Sequence, residues 1–169
     1  GRFVDQKDQM TILKALNELN KKINFYAVLV GRGILKENFL RYIKKNNLGK
    51  KIKLIKYTDN PFKLIKQADI FILSSKFEGL PNVLLEATVL KKFIISSNCP
   101  TGPREILLNG RGGLLFKTGN HIELSKKILF YKMNKKKCNI MLRKTYKELW
   151  RFDYKYNLEK YYNLIKNFN

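Results

Sequence analysis

Ser75-Lys76-Phe77-Glu78-Gly79-Leu80-Pro81-Asn82-Val83-Leu84-Leu85-Glu86-Ala87 carries two carboxylates eight positions apart, with a Gly-Leu-Pro turn between them that leads into an apolar run. Pro81 suits the first position of a helix, where its missing N–H costs nothing. Upstream, Ile70-Phe71-Ile72-Leu73 is short, apolar and β-rich, as a buried strand would be. The stretch therefore predicts a strand–loop–helix unit, with Glu78 in the loop and Glu86 inside the helix. Glu86 is the only charge between Gly79 and Leu90. A helix apolar on nearly every side is usually buried, and a carboxylate within it needs a hydrogen-bonding partner or bears a desolvation cost. The other reading of Glu86 is a solvated helix face, which would normally carry several polar residues.

The alternation continues on both sides of this unit. Periodicity predicts a helix over Asp8–Asn20, with Met10, Leu13, Leu16 and Leu19 on one face, then a strand at Phe25–Val30 and a helix over Ile34–Lys45. A strand at Ile52–Tyr57, a short helix after Pro61 and the strand at Ile70–Ser74 lead to the helix at Pro81. Beyond it come a strand at Phe93–Ser97, a short helix at Arg104–Leu108 and a strand at Gly113–Phe116. The rest reads as helices over Ile122–Lys132, Lys136–Trp150 and Tyr154–Asn167. Strands alternating with helices argue for an α/β fold: one doubly wound parallel sheet flanked by helices, with a helical tail. At 169 residues, 44% of them hydrophobic, the chain suits one domain with a sizeable core.

Cys99 and Cys138 form no CxxC pair and no metal-spaced set with the lone His121, which favours a reduced, cytosolic setting. No apolar run approaches the roughly 20 residues of a membrane span, and no signal peptide is visible. No Ser/His/Asp or Cys/His arrangement can be built on one histidine. The net charge of +22 has two readings: attraction to polyanions such as nucleic acid, an anionic membrane face or nucleotide phosphates, or the lysine-rich usage of an AT-rich genome. Lys22, Lys44, Lys50 and Lys56 are spread over several elements, and the densest cluster, Lys132 with Lys135-Lys136-Lys137, falls at a helix–helix junction. In the tail, Tyr154, Leu158, Tyr161, Tyr162 and Ile165 follow helical spacing, which favours packing of the last helix over base stacking.

Five stretches carry a resemblance: Gly1-Arg2-Phe3-Val4-Asp5-Gln6-Lys7, Val30-Gly31-Arg32-Gly33, Asp59-Asn60-Pro61, Ala68 through Ala87, and Cys99-Pro100-Thr101-Gly102-Pro103-Arg104-Glu105-Ile106. In this order they resemble the retaining GT-B glycosyltransferases, most closely glycosyltransferase family 4 (group 1), whose signature is Glu-x7-Glu. The resemblance implies a Rossmann-like C-terminal, donor-binding domain, one half of a GT-B enzyme. The N-terminal acceptor domain and the first strand would lie before Gly1. It implies transfer of a hexosyl or N-acetylhexosaminyl group from a nucleotide diphosphate sugar, a UDP-sugar being favoured, to a polysaccharide or polyprenyl-linked acceptor. The setting would be bacterial capsule, lipopolysaccharide or glycan biosynthesis, in the cytoplasm or at the inner face of its membrane. The isolated domain would be inactive alone.

In open parallel sheets, ligands bind beyond the strands' carboxyl ends where strand order reverses. With the implied strand before Gly1, the loops carrying Arg2 and Lys7 and those from Glu78 to Asn82 flank one crevice. A sugar-nucleotide donor loses a diphosphate, and Arg2 and Lys7 suit its oxygens. Free N–H groups at the helix start, near Pro81–Val83, add anion stabilisation. With no Asp-x-Asp pair, a metal bridge has no obvious ligands, in line with the metal-independent chemistry the resemblance implies. By carry-over Arg2, Lys7 and Glu78 are the catalytic candidates, Glu78 on donor-sugar hydroxyls. Gly31, Gly33, Tyr57, Gly79, Leu80, Pro81, Asn82, Val83 and Glu86 are the substrate-binding ones, Glu86 on the ribose diol.

The chain departs from the family at Lys56 before Tyr57, near the nucleobase corner, and at Lys91-Lys92 after Leu90, where glycines are usual. Gly31-Arg32-Gly33 lacks the third glycine of a dinucleotide fingerprint, Lys36 standing there. Two alternatives stay open: a non-catalytic basic module for nucleic acid or anionic membrane, and a decayed or split-gene product.

Overall fold

The computed structural model describes residues 1–166. Helix α1 (Gln9–Leu19) precedes strand β1 (Ala27–Val30), α2 (Lys36–Lys45), β2 (Ile52–Ile55), α3 (Pro61–Gln67) and β3 (Ile70–Leu73). Then come α4 (Asn82–Val89), β4 (Phe93–Ser97), α5 (Pro103–Ile106), β5 (Leu114–Phe116), α6 (His121–Met133), α7 (Lys135–Lys147) and α8 (Tyr154–Lys166). All strand pairs are parallel, β1 with β2 and β3–β4–β5 in order. The α/β class and its parallel, helix-flanked strands agree with the reading of the sequence.

The single sheet is corrected to two, because β1 and β3 do not hydrogen-bond to each other. One core nevertheless serves both: Leu29 and Ile52 of the first sheet and Phe93, Ile95 and Phe116 of the second pack with the α1 face Leu13–Leu16–Leu19. Phe3, fully buried, meets the Phe39 ring edge-on at 5.3 Å and ties the chain's opening segment to α2. A smaller cluster, with Leu84, Ala87, Ile94 and Ile106, fills the other side of the second sheet.

Side-chain caps set several boundaries. Asp8, in a left-handed conformation, accepts from Thr11 N; Asn60 caps α3 through Lys63 N at 3.1 Å; Asn120 caps α6 through Glu123 N at 2.9 Å. Pro81 is the N-cap of α4, with ψ 93°, and not its first helical residue. Its φ of −76° fits either position, so ψ alone decides. The strand expected from Phe25 starts at Ala27, and the one expected to reach Tyr57 stops at Ile55. Ser74 lies beyond β3, its hydroxyl turned to the Lys7 carbonyl.

The expectation of a wholly buried α4 is also corrected. Leu84, Ala87 and Thr88 are buried, but Val89 is 59% exposed. Lys91 takes a left-handed φ of 56°, a conformation that favours glycine. The long helix expected to reach Trp150 ends at Lys147, and a 3-10 turn over Leu149–Phe152 follows. The tail is the largest correction. α8 buries no residue, and Tyr154, Leu158, Tyr161, Tyr162 and Ile165 are all exposed. Its apolar face exists as the spacing predicts, but it turns away from the body. The last residue expected in that helix, Asn167, lies outside the described residues.

Candidate functional site

Residues 1–8 run from the carboxyl end of β1 to the carboxyl end of β3. At one end the Gly1 amino group donates to Val30 O at 2.7 Å and Phe3 N to Arg32 O at 2.8 Å. At the other, Lys76 N donates to Gln6 O at 2.8 Å, Gln6 Nε2 to Phe77 O at 3.1 Å, and Ser74 Oγ to Lys7 O at 2.8 Å. The exposed Lys76 ammonium reaches both oxygens of Asp5 at 2.7 Å, and these hydrogen bonds raise its pKa. Two loops that the sequence separates by 71 residues are thus zipped along one crevice.

At its centre Lys7 Nζ donates to Glu78 Oε1 at 2.6 Å, the Glu78 side chain being 9% exposed. Ser75 Oγ donates to the same oxygen at 2.6 Å. Among the described residues, Glu78 Oε2 has no hydrogen-bond partner, so one carboxylate oxygen is held and the other is left to accept. Ser75 is fully buried, its own carbonyl accepting from Ser97 Oγ at 2.7 Å. The Thr101 hydroxyl donates to the Glu78 carbonyl. The Ser75 hydroxyl thus holds the Glu78 carboxylate and the Thr101 hydroxyl its carbonyl, while Ser97, at the end of β4, holds Ser75. Sequence reasoning passed over Ser75 and Thr101 as agents. The signal for Ser75 was the pair of serines ending an otherwise apolar strand; Thr101 offered none, since its partner lies 23 residues away.

Ser75→Ala should cost about 1–2 kcal/mol of stability, because it removes a hydroxyl from a largely buried carboxylate. Urea unfolding checks it, and an unchanged midpoint would show that the hydroxyl does not hold Glu78.

Arg2 is exposed, and among the described residues its guanidinium joins no ion pair. Its carbonyl accepts from Gln9 Nε2 at 2.8 Å and its neighbour Phe3 is the buried anchor, so the turn is fixed while the side chain is free. Gly31 and Gly33 lie beneath this turn. A Cβ at Gly31 would strike Gly1 O, and one at Gly33 would strike the Phe3 backbone. These two glycines serve close packing of backbones and thereby seat Arg2.

On the opposite wall, Gly79 and Leu80 are exposed and Pro81 is buried. No side chain caps α4, so its first N–H groups, near Asn82 and Val83, are open to an anion. Glu86, one turn further along, is half-buried, and among the described residues nothing donates to its carboxylate. Tyr57 is 71% exposed.

At Gly102, with φ 74°, a Cβ would overlap Gly79 O and Pro81 Cδ, so the β4–α5 loop lies close against the Glu78–Pro81 loop. Cys99 is buried next to this contact. Burial, as the largest cause, pushes its thiol pKa up. A cavity of about 480 Å³ lined by Asn98, Phe116, Lys117, Thr118 and Glu123 opens at the ends of β4 and β5, and shares no residue with the Lys7–Glu78 pair. Among the described residues no cluster of three His, Cys, Asp or Glu side chains forms a metal site.

The fold is that of solved glycosyltransferases. A mutant of Staphylococcus aureus TarM, in a complex that includes UDP, superposes with a TM-score of 0.87 at 22% identity, over 97% of this chain and 34% of that one. Anabaena HepE in complex with UDP gives a TM-score of 0.87 at 19% identity, over 99% of this chain and 47% of that one. In sequence, the uncharacterized glycosyltransferase MJ1059 of Methanocaldococcus jannaschii is 39% identical over 108 residues, 63% of this chain and 27% of the relative. The N-acetylgalactosamine-N,N'-diacetylbacillosaminyl-diphospho-undecaprenol 4-alpha-N-acetylgalactosaminyltransferase of Campylobacter jejuni is 31% identical over 120 residues, 71% of this chain and 32% of the relative. This chain therefore spans about a third of the length of those two relatives. The family described as "Glycosyl transferases group 1" matches residues 1–148, and the chain belongs to that family.

Proposed function

We propose that this chain is the donor-binding portion of a retaining, family 4 glycosyltransferase, which takes a sugar from a nucleotide diphosphate sugar, most readily a UDP-sugar. The observation that carries the reading is the Lys7–Glu78 pair at 2.6 Å, which joins two loops at one crevice and leaves Glu78 Oε2 unengaged. Around it stand the free Arg2 side chain and the uncapped start of α4. Arg2 and Lys7 would hold the diphosphate and balance the charge that develops on it as the glycosidic bond breaks, so no metal ion is required. Glu78 would accept from a donor-sugar hydroxyl. Glu86, solvent-reachable and unpaired, would accept from the ribose diol, and Tyr57 would border the base. UDP in the HepE and TarM complexes supports the choice of nucleotide.

The acceptor, a polysaccharide or a polyprenyl-linked glycan, would enter through a second domain of a longer protein, as the names of the relatives suggest. The unpaired edges of β1 and β3 suit a further strand, and the exposed face of α8 suits that second domain. Without those parts, the chain would bind nucleotide and transfer no sugar. No described helix is long and apolar enough to cross a membrane, and the proposed placement is cytoplasmic, with the chemistry at the inner membrane face.

Calorimetric titration with UDP, GDP and ADP tests the reading, and saturable binding of one nucleotide is expected. Glu86→Ala should weaken UDP binding by roughly tenfold, and pyrophosphate binding by far less, since one charged hydrogen-bonding group is worth about 1.5 kcal/mol. Equal losses for both ligands would overturn the ribose assignment. Binding that falls steeply with salt and ignores the base and Glu86 would favour a plain polyanion module.

A further inference from the structure

Gln9, the first residue of α1, is 9% exposed, and its amide reaches back to the chain's opening segment. Nε2 donates to Arg2 O at 2.8 Å, while Oε1 is buried and has no hydrogen-bond partner among the described residues. A carbonyl can only accept, so the bond to Arg2 O requires the NH2 group on that side and leaves the oxygen on the other. Helix initiation does not account for this residue. Asp8 is the N-cap and accepts from Thr11 N, so the start of α1 is served without Gln9. Packing does not account for it either, since a buried amide with an unpaired oxygen is less favourable than an apolar side chain of the same shape.

What the Gln9 bond does is complete the hold on one peptide unit. The N–H of the Arg2–Phe3 peptide donates to Arg32 O at 2.8 Å, and its C=O accepts from Gln9. The unit is planar, so bonds at its two opposite edges fix its tilt. Next along the chain, Leu35 N donates to Phe3 O at 3.1 Å and the Phe3 ring is buried.

These main-chain bonds do not depend on which residue stands at position 9. The hold on the Arg2 carbonyl does, and that carbonyl belongs to the residue whose guanidinium joins no ion pair among the described residues. The plane of this peptide carries the Arg2 Cα, so its tilt sets where the guanidinium can reach. Lys7, seven residues from the start of the same segment, is held by other means: its ammonium by Glu78 and its carbonyl by Ser74 Oγ.

We propose that Gln9 is a positioning residue of the donor site: its Nε2 holds the Arg2 carbonyl and thereby aims the Arg2 guanidinium at the diphosphate. A donor kept at this buried place leaves Oε1 unpaired, a local loss that the site tolerates for the sake of geometry. The inference rests on the phosphate role given to Arg2 in the proposed function, and adds to it a residue that touches no ligand itself.

Calorimetric titration of this chain with pyrophosphate and with uridine, run as a double-variant cycle, tests it. Gln9→Met keeps the length of the side chain and removes both amide groups. It should lower pyrophosphate affinity by roughly fivefold or more and leave uridine affinity unchanged. The melting temperature should stay within about 3 °C of the wild type, because the lost bond and the lost unpaired oxygen offset each other. In the Arg2→Ala background the same substitution should change pyrophosphate affinity by less than about twofold, since no guanidinium remains to be aimed. Gln9→Leu, of similar volume, is read in the same way and covers a failure of Gln9→Met to fold. An equal loss with and without Arg2 would overturn the proposal, and Gln9 would then brace the opening segment as a whole. So would a parallel loss of uridine and pyrophosphate affinity with a lower melting temperature. An Arg2→Ala protein that binds pyrophosphate like the wild type would remove Arg2 from the diphosphate, and this inference with it. A loss in Arg2→Ala beside none in Gln9→Met would leave the donor site standing and overturn the positioning role alone.

Discussion

Gly102→Ala is expected to lower the melting temperature by roughly 5–15 °C, the shift for a loss of about 2–4 kcal/mol in a domain of this size. Two causes act together. At φ 74° an L-residue is strained, and the added Cβ would overlap Gly79 O and Pro81 Cδ, neither of which is the flexible end of a side chain. The overlap can be relieved only by moving the Glu78–Pro81 loop, so nucleotide affinity should fall with stability. Gly79→Ala, on the other side of the same contact, meets nothing within 4 Å and should shift stability by less than about 0.5 kcal/mol. A third glycine separates the two effects. A Cβ at Gly112 would overlap Thr145 Oγ1, far from the crevice, so Gly112→Ala should destabilise without touching nucleotide affinity. Thermal melts and UDP titrations on the three variants check the set. A Gly102→Ala protein that melts like the wild type would show that the loop brace is loose.

The contrast among these glycines shows which features a sequence carries. Strands β3 and β4 were readable because buried parallel strands are continuous apolar runs, as Ile70–Leu73 and Phe93–Ile95 are. α1 was readable from Leu13, Leu16 and Leu19 at helical spacing. Among the site residues, the resemblance pointed to Arg2, Lys7 and Glu78, and local motifs are enough for that. What joins them is long-range. Nothing near Gly102 says that it will lie against Gly79, and nothing near Ser75 says that its hydroxyl will share Glu78 Oε1 with Lys7. The split sheet and the bare α8 failed for a related reason. Periodicity reports that a face is apolar and is silent on what covers it, so Tyr161 and Ile165 read as core although both stand in solvent.

Lys7→Ala is expected to lower UDP and pyrophosphate affinity by about 10- to 100-fold while leaving uridine binding unchanged, since a charge-assisted hydrogen bond is worth about 1.5–3 kcal/mol. It should also destabilise the protein, for a reason unconnected with phosphate. Glu78 is 9% exposed on its side chain and shares Oε1 between Lys7 and Ser75, so removing the ammonium leaves a nearly buried carboxylate with one neutral donor. A loss of about 1–3 kcal/mol is expected, below that of a fully buried pair because Lys7 itself is 23% exposed. The two effects part in the double variant. Adding Glu78→Gln removes the stranded charge, so Lys7→Ala/Glu78→Gln should regain most of the stability and none of the pyrophosphate affinity. If pyrophosphate affinity returned along with stability, Lys7 would act only by holding Glu78, and the phosphate role would pass to Arg2 and the α4 amino end. If uridine affinity fell as far as that of UDP, the substitution would have collapsed the crevice, and Lys7 would be a strut between two loops rather than a ligand.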